Sequence, residues 1–397
     1  MMRRVLRAAV VTASALVLSG AVSEPLQASA APLPPGGVAW AESHLAPGTQ
    51  MLPYAGVVQF RDRSMWVGGS DLAGQPSKFT PKLVSGNGGD GWSEVPMAPL
   101  PPTANVQAES IDGLSRTSAV VVGDSSAQLG GFLAERLEGG SWHLDTVPAP
   151  ADILNGALLS VKELAPDDIW AVGFAVIDLK IQDDDGFDLV RWDAIIRHWD
   201  GTAWRVVPVP DTVKDSALFS LTVSGGRMWA VGRTFLGDGT ARPVMVEFDG
   251  RSWKQTALPP MPSNMSELRA VAARSSRDVW AVGGYRDDAG NSHGLTLHYD
   301  GRSWQTGPAL PAASDEVLDS VAATDRGIVA FGNRSDTDAA FGVQFAAGAW
   351  SPVYLPDGQK EGVFTARRLN VTDGRIALTG TRWAGDHIEG VVLTGRI

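Results

Sequence analysis

Between residues 268 and 310 the chain alternates apolar and polar positions in four short runs, "LRAVAAR", "VWAVGGY", "GLTLHYD" and "WQTGPAL". The runs are separated by "SSRD", "RDDAGNSH" and "DGRS". A period of two places alternate side chains on opposite faces of a strand, and the separators carry turn chemistry. The pattern predicts four antiparallel strands joined by tight turns. One such sheet cannot bury both of its faces by itself, so it needs neighbours stacked against it.

The neighbours are further copies of the same unit. "DVWAVGG" (278–284) recurs as "DIWAVGF" (168–174), "RMWAVGR" (227–233) and "SMWVGGS" (64–70). Weaker copies are "AVVVGDS" (119–125), "GIVAFGN" (327–333) and "RIALTGT" (375–381). Their marker glycines are Gly68, Gly123, Gly173, Gly232, Gly283, Gly332 and Gly380, spaced by 55, 50, 59, 51, 49 and 48 residues. A fourth-strand Trp follows six of them, at 92, 142, 204, 253, 304 and 350. Gly380 has no such partner, whereas Trp40 in "GGVAW" (36–40) has no glycine marker and lies one period before Trp92.

These markers predict an all-β chain folded as a single seven-bladed β-propeller of four-stranded antiparallel blades. The blades, called repeats 1 to 7 below, span about 51–99, 104–150, 153–210, 214–262, 265–311, 315–356 and 362–397. The last lacks its outer strand, and an N-terminal strand from 33–46 is expected to complete it and close the ring without a covalent bond.

A hydrophobic run ending in Gly283-Gly284, then Tyr299 in the third strand and Trp304 in the fourth, resembles the kelch-type blade. The chain is similar to kelch-like, galactose-oxidase-central-domain-like propellers and to exported bacterial proteins with repeated "DVWAVG…WDGTSW" units. The resemblance implies a fold and a tendency to bind partners, and no single activity. Most repeats keep only one of the two glycines.

Composition narrows the setting. Arg3, Arg4 and Arg7, an apolar run to about Val22, and Ala28-Ser29-Ala30 read as a signal peptide over 1–30, which implies a secreted protein. There is no Cys, so disulfides and lipid attachment through cysteine are both excluded. The net charge is −11, which argues against nucleic acid as a partner. No later segment is apolar for long enough to span a bilayer, and a monomer is expected.

The repeat explains most of the conspicuous residues. The fourth-strand Trp residues and Trp66, Trp170, Trp229 and Trp280 of the second strand occupy fixed places and are read as packing between blades. Asp90, Asp200, Asp249 and Asp300 each precede Gly and are read as turn formers. Their likeness to the sialidase Asp-box is partial, and that motif is itself structural. His198 and His298 sit at equivalent third-strand places, which argues for a structural role, and the six His show no metal-ligand spacing.

A site is therefore sought where the repeats differ, on the face where second-to-third-strand loops and blade connections open. The stretch 177–194 is expected to be a long loop, and Asp183, Asp184, Asp185 and Asp188 in it raise calcium as a ligand. Their spacing fails the D-x-D-x-D-G loop, which favours a solvated acidic loop and leaves no cofactor predicted. Arg233, Arg286, Arg334 and Arg382 follow the glycine markers of successive repeats, as a basic patch for carboxylate or sulfate or as ordinary rim residues. Trp192 and Trp383 fall outside both repeat positions and are expected in loops, as contacts for a sugar or protein or as loop anchors.

Glu109, Arg269, Asp319 and Arg367 share one register at the start of the innermost strands and are expected to ring the channel mouth. Glu109 and Asp319 are candidates for acid–base work, weighed against ion pairing with Arg269 or Arg367.

These readings favour a non-catalytic binding module using one propeller face for a protein or glycan. The alternative is a carbohydrate-active hydrolase or lyase with its site at the channel mouth. A copper-radical oxidase needs a Cys, a sialidase needs an arginine triad with a Tyr–Glu pair, and a serine hydrolase needs a G-x-S-x-G context.

Overall fold

The computed structural model describes residues 6–7, 38–45, 51–73, 78–89, 91–182, 188–235, 240–311, 315–356, 363–384 and 387–397. Apart from Leu6–Arg7, the expected signal peptide lies outside them. Regular structure among the described residues is strand throughout, with two single 3-10 turns at Ala127–Leu129 and Asp211–Val213. The strands form antiparallel four-stranded blades in a propeller arrangement.

Repeat 5 shows the unit. Met265–Ser275, Asp278–Arg286, Ser292–Tyr299 and Trp304–Thr306 pair in sequence order as one sheet. Five separate sheets of this kind are present, formed by repeats 1, 4, 5, 6 and 7. Where seven separate sheets were expected, repeats 2 and 3 share one ten-stranded sheet. The join is narrow: the innermost strand Ile153–Ala165 of repeat 3 meets the second strand Ser118–Ser126 of repeat 2 only at Ala157 and Asp124. The thirteen-residue Ile153–Ala165 bulges at three points, and its early residues run alongside the neighbouring strand.

In repeat 7, Phe364–Thr372, Arg375–Ala384 and His387–Arg396 are joined by Ala41–His44, which pairs with the last strand from Ala41↔Thr394 to His44↔Val391. Repeat 7 also touches repeat 1. Gln59 Nε2 donates to Asn370 Oδ1 at 3.1 Å, and an Arg375 guanidinium N–H donates to the Phe60 carbonyl at 2.9 Å.

The marker glycines have a steric cause. A Cβ on Gly283 would lie 2.1 Å from the Glu267 carbonyl oxygen, and one on Gly173 would lie 1.8 Å from that of Ala157. Glycine at this place lets the innermost strand press against the second, and a bulge follows directly, as between Leu268 and Ala270.

The Trp markers fill the gaps between repeats. Trp350 of repeat 6 meets Trp280 of repeat 5 at 5.6 Å, Trp253 meets Trp170 at 6.1 Å, and Trp142 meets Trp66 at 6.0 Å. In these three pairs a fourth-strand ring packs on the second-strand ring of the preceding repeat, burying large apolar area without any disulfide. Trp170 and Trp280 stack on His198 and His298 at 4.1 and 4.2 Å, and each Trp–His pair shares one carboxylate, Asp168 or Asp278. The two histidines are therefore structural. Asp200, Asp249 and Asp300 accept backbone N–H groups of their own turns, with Gly201, Gly250 and Gly301 at φ of 85°, 91° and 92°. Asp90 lies outside the described residues.

Candidate functional site at the channel mouth

The innermost strands begin, and the second strands end, at one end of the sheets, here termed the mouth. Glu109, Arg269, Asp319 and Arg367 each occupy the skipped place of a bulge, between Ala108/Ser110, Leu268/Ala270, Leu318/Ser320 and Ala366/Arg368. Leu159 and Phe219 hold the same place in repeats 3 and 4. The shared register is thus a shared distortion, and it lies beside the close strand approach that each marker glycine permits. At this bulge place repeats 2, 5, 6 and 7 are charged and repeats 3 and 4 are apolar.

On the charged part, ion pairs run from repeat to repeat. Arg233 donates to Glu267 at 2.8 Å, Arg269 donates to Glu267 at 2.6 Å, and Arg269 also pairs with Asp319. Asn333 donates to Asp319 at 2.8 Å and exchanges hydrogen bonds with the Ala366 backbone. Burial opposes the charge on Glu267, but Arg269 and Arg233 outweigh it and hold its carboxyl below the usual range. Burial likewise opposes the Arg269 charge, and Asp319 and Glu267 outweigh it upward. Asp319 is thus held by Arg269 and Asn333 and is not the partner of Glu109.

Glu109 faces a different carboxylate. Burial first, and then the neighbouring Asp124 charge, push Glu109 up to about 7, against the pull of Arg368 and Arg367. Burial also lifts Asp124 to about 6, although it accepts the Gln107 N–H at 3.0 Å. Beside them, Arg368 donates to the carbonyls of Tyr54 (3.2 Å), Glu109 (3.2 Å) and Leu159 (3.4 Å). One side chain from repeat 7 therefore ties repeats 1, 2 and 3 together. Arg367 is exposed and lies 5.0 Å over the Tyr54 ring.

Asp124 and Asn333 were not among the expected mouth residues, and Arg233 was expected on this face in a basic patch, yet a common signal existed. All three directly follow a marker glycine, at Gly123, Gly332 and Gly232. The mouth is written in that position as well as in the bulge position.

The other candidates are distributed along the rim. Arg334 pairs with Glu316 at 3.0 Å, and Arg382, 1% exposed, donates to Glu42 at 2.9 Å. Arg233 and Arg334 therefore arrive with carboxylates, and Arg382 is a buried tie to the N-terminal strand. Arg286 is exposed at the end of its strand, where its carbonyl accepts the Ser263 hydroxyl.

The expected loop 177–194 is mostly strand. Asp168–Gln182 and Asp188–Trp199 extend one hairpin, because the apolar alternation of "FAVIDL" continues past the marker. Asp183, Asp184 and Asp185 lie outside the described residues, and Asp188 accepts from Gln182 at 3.0 Å.

Trp192 lies in that hairpin and not in a loop, paired with Val176. It is stacked between Phe174 (4.9 Å) and Phe235 (4.2 Å), joining repeat 3 to repeat 4. With a ring on either side, it anchors structure and has no open face for a sugar. Trp383 also lies in a strand, paired with Ile388, and is 51% exposed.

Exposed apolar side chains gather at the mouth end. Leu154, Ile181, Met265, Val363 and Trp383 all stand where innermost strands begin or second strands finish. Leu114 is the large exposed hydrophobic at the opposite end among the described residues.

No family model matches the chain, and no curated protein matches it. Solved structures do. The chain is similar to YCF48 bound to D1 peptide, at 12% identity and a TM-score of 0.56 over 90% of this chain and 95% of that one. It is similar to Drosophila Semaphorin 2a at 8% identity and a TM-score of 0.50, covering 88% and 74%. An Aleuria aurantia lectin aligns at 13% identity and a TM-score of 0.42, covering 78% and 99%. At these identities the likeness is one of fold: the chain is a β-propeller.

Proposed function

We propose that the chain is an exported, non-catalytic binding module that uses its mouth face for a protein or glycan partner, with protein favoured. In this reading residues 1–30 are removed. Residues 31–397 form one seven-bladed, kelch-like ring with the blade boundaries given above, in which repeats 2 and 3 count as two blades and Ala41–His44 closes the last.

The observation that carries the reading is the concentration of Leu154, Ile181, Met265, Val363 and Trp383 at one end of the sheets. They come from repeats 3, 5 and 7, and exposed apolar side chains set among charges mark interaction sites in soluble proteins. Protein is favoured over glycan because Trp192 is covered by two phenylalanines, which leaves Trp383 as the open aromatic of the pair. The peptide held by YCF48 is a partner of the favoured kind.

The enzyme reading has Glu109 and Asp124 in its favour, two neighbouring carboxyls lifted toward neutrality. Both come from repeat 2, however, and Arg368 beside them is occupied by backbone carbonyls. We assign that cluster to holding the ring and the mouth in shape. No cofactor enters the proposal, and the working unit is a monomer.

The test is a pull-down and glycan-array screen with residues 31–397, followed by Trp383→Ala and Arg334→Ala. Binding weakened by either change supports the mouth face. Unchanged binding in both would overturn that assignment, and a hit confined to glycans would overturn the preference for protein.

A further inference from the structure

At the end of the sheets opposite the mouth, a cleft of about 390 Å³ opens between repeat 7 and repeat 1. Arg63, Arg375, Arg396, Asn87, Gln59 and Thr394 contribute its polar lining, and among the described residues no acidic side chain lines it. This is unexpected in a chain of net charge −11. Elsewhere arginine is commonly paired, as in Arg136–Asp145, Arg191–Asp193, Arg227–Glu247 and Arg274–Asp278. Among the described residues no carboxylate stands within ion-pair distance of Arg63, Arg375 or Arg396.

The local structure fixes part of this lining. The Arg63 backbone is left-handed, at φ 71°, in a turn where Phe60 N–H donates to the Ser64 carbonyl at 2.9 Å. Glycine would adopt that conformation at lower cost, so the turn keeps an arginine against backbone preference. Arg375 is fixed by its bond to the Phe60 carbonyl at 2.9 Å. Gln59, buried, donates to the Arg375 carbonyl and to Asn370, each at 3.1 Å, so the floor of the cleft is a pinned amide. Met65 and Ile376 add an apolar wall.

We propose that this seam cleft binds a small molecule bearing a phosphoryl or sulfuryl group. Guanidinium forks match the oxygens of such groups in paired hydrogen bonds, and three unopposed forks around one cavity suit a multiply charged oxyanion. The cavity is larger than a bare anion requires, and Asn87 and Thr394 offer hydrogen bonds for a polar body such as a sugar. Since the lining comes from repeats 1 and 7 and from the N-terminal segment at Ala39, an occupant would bridge the two ends of the chain and stabilise the folded state by mass action.

The experiment is isothermal titration and thermal unfolding of the full chain at fixed ionic strength. The probes are glucose 6-phosphate and glucose 6-sulfate, with glucuronate and glucose as comparisons. One or both esters should bind and raise Tm, glucose should not, and the ester that binds more tightly identifies the group. The double variant Arg63→Ala/Arg396→Ala, whose side chains are exposed, should keep its ligand-free Tm and lose affinity by ~10-fold or more. Arg396→Lys should fall between, because it keeps the charge and loses the fork. Absence of binding by both esters, equal binding by the double variant, or glucuronate binding as tightly as the esters would each overturn the proposal.

Discussion

The mouth and the seam cleft are built from the same residue types and use them in opposite ways. At the mouth, arginine meets carboxylate: Arg233 with Glu267, Arg269 with Glu267 and Asp319, and Arg334 with Glu316. At the seam, Arg63, Arg375 and Arg396 surround a cavity that no acid lines among the described residues. Charge at the mouth is satisfied internally and shapes the surface on which apolar side chains stand. Charge at the seam is unsatisfied and awaits a ligand. The presence of arginine does not by itself separate a scaffold from a site; the presence or absence of its counterion does.

The largest test of the scaffold half is Arg368. Its guanidinium serves carbonyls of Tyr54, Glu109 and Leu159, and truncation removes hydrogen bonds from a charged donor to three repeats at once. Arg368→Ala should cost about 3 kcal/mol in urea unfolding. A loss below about 1 kcal/mol would mean that water serves those carbonyls equally well and that the side chain does not hold the repeats together.

How this division was legible in sequence depends on what repeats. The period, the Trp markers and the Asp-Gly turns recur, so each copy supports the reading of the others, and Trp280, His298 and Asp300 took their expected roles. The bulge register that gathers Glu109, Arg269, Asp319 and Arg367 was also legible, because it stands 13 or 14 residues before the marker glycine. What each residue meets was not. Asp124, and not Asp319, faces Glu109, because both belong to repeat 2 and follow the directly paired Ala108 and Gly123. The 177–194 hairpin was misread because its alternation resumes only beyond a polar stretch. The seam left no mark: Arg375 and Arg396 pair across one hairpin, but Arg63 comes from a turn more than three hundred residues earlier, and only folding brings it to them.

A second test is pH, which acts on the mouth side and spares the seam. Glu109 and Glu135 are raised to about 7 and Asp124 to about 6, all chiefly by burial. Glu135 is fully buried; it accepts the Ala98 N–H at 2.8 Å, and its other oxygen has no hydrogen-bond partner. An acid with a raised folded pKa binds more protons folded than unfolded, so stability falls as pH rises from the unfolded value near 4 toward 7. Between pH 5 and pH 7.5 each raised glutamate should cost on the order of 2 kcal/mol in guanidinium unfolding. Glu135→Gln should recover about that amount, whereas Arg396→Ala should leave the whole loss in place. A gain in stability over the same window would overturn the burial of these acids.

The smallest effect sharpens the comparison most. Arg269→Ala leaves Asp319 with Asn333 and leaves Glu267 with Arg233, so two carboxylates lose one partner each and keep another. Both acids are largely buried while Arg269 is partly exposed, which limits the loss to about 1 kcal/mol. Arg396→Ala removes a charge from a place with no counterion and should change stability by less than about 0.5 kcal/mol in either direction. A double-mutant cycle on Arg269 and Asp319 should return a coupling near the single-variant loss, because the two side chains touch. If instead Arg396→Ala proved as costly as Arg269→Ala, the seam arginines would be structural members like those at the mouth. The two ends of the propeller would then differ in geometry and not in purpose.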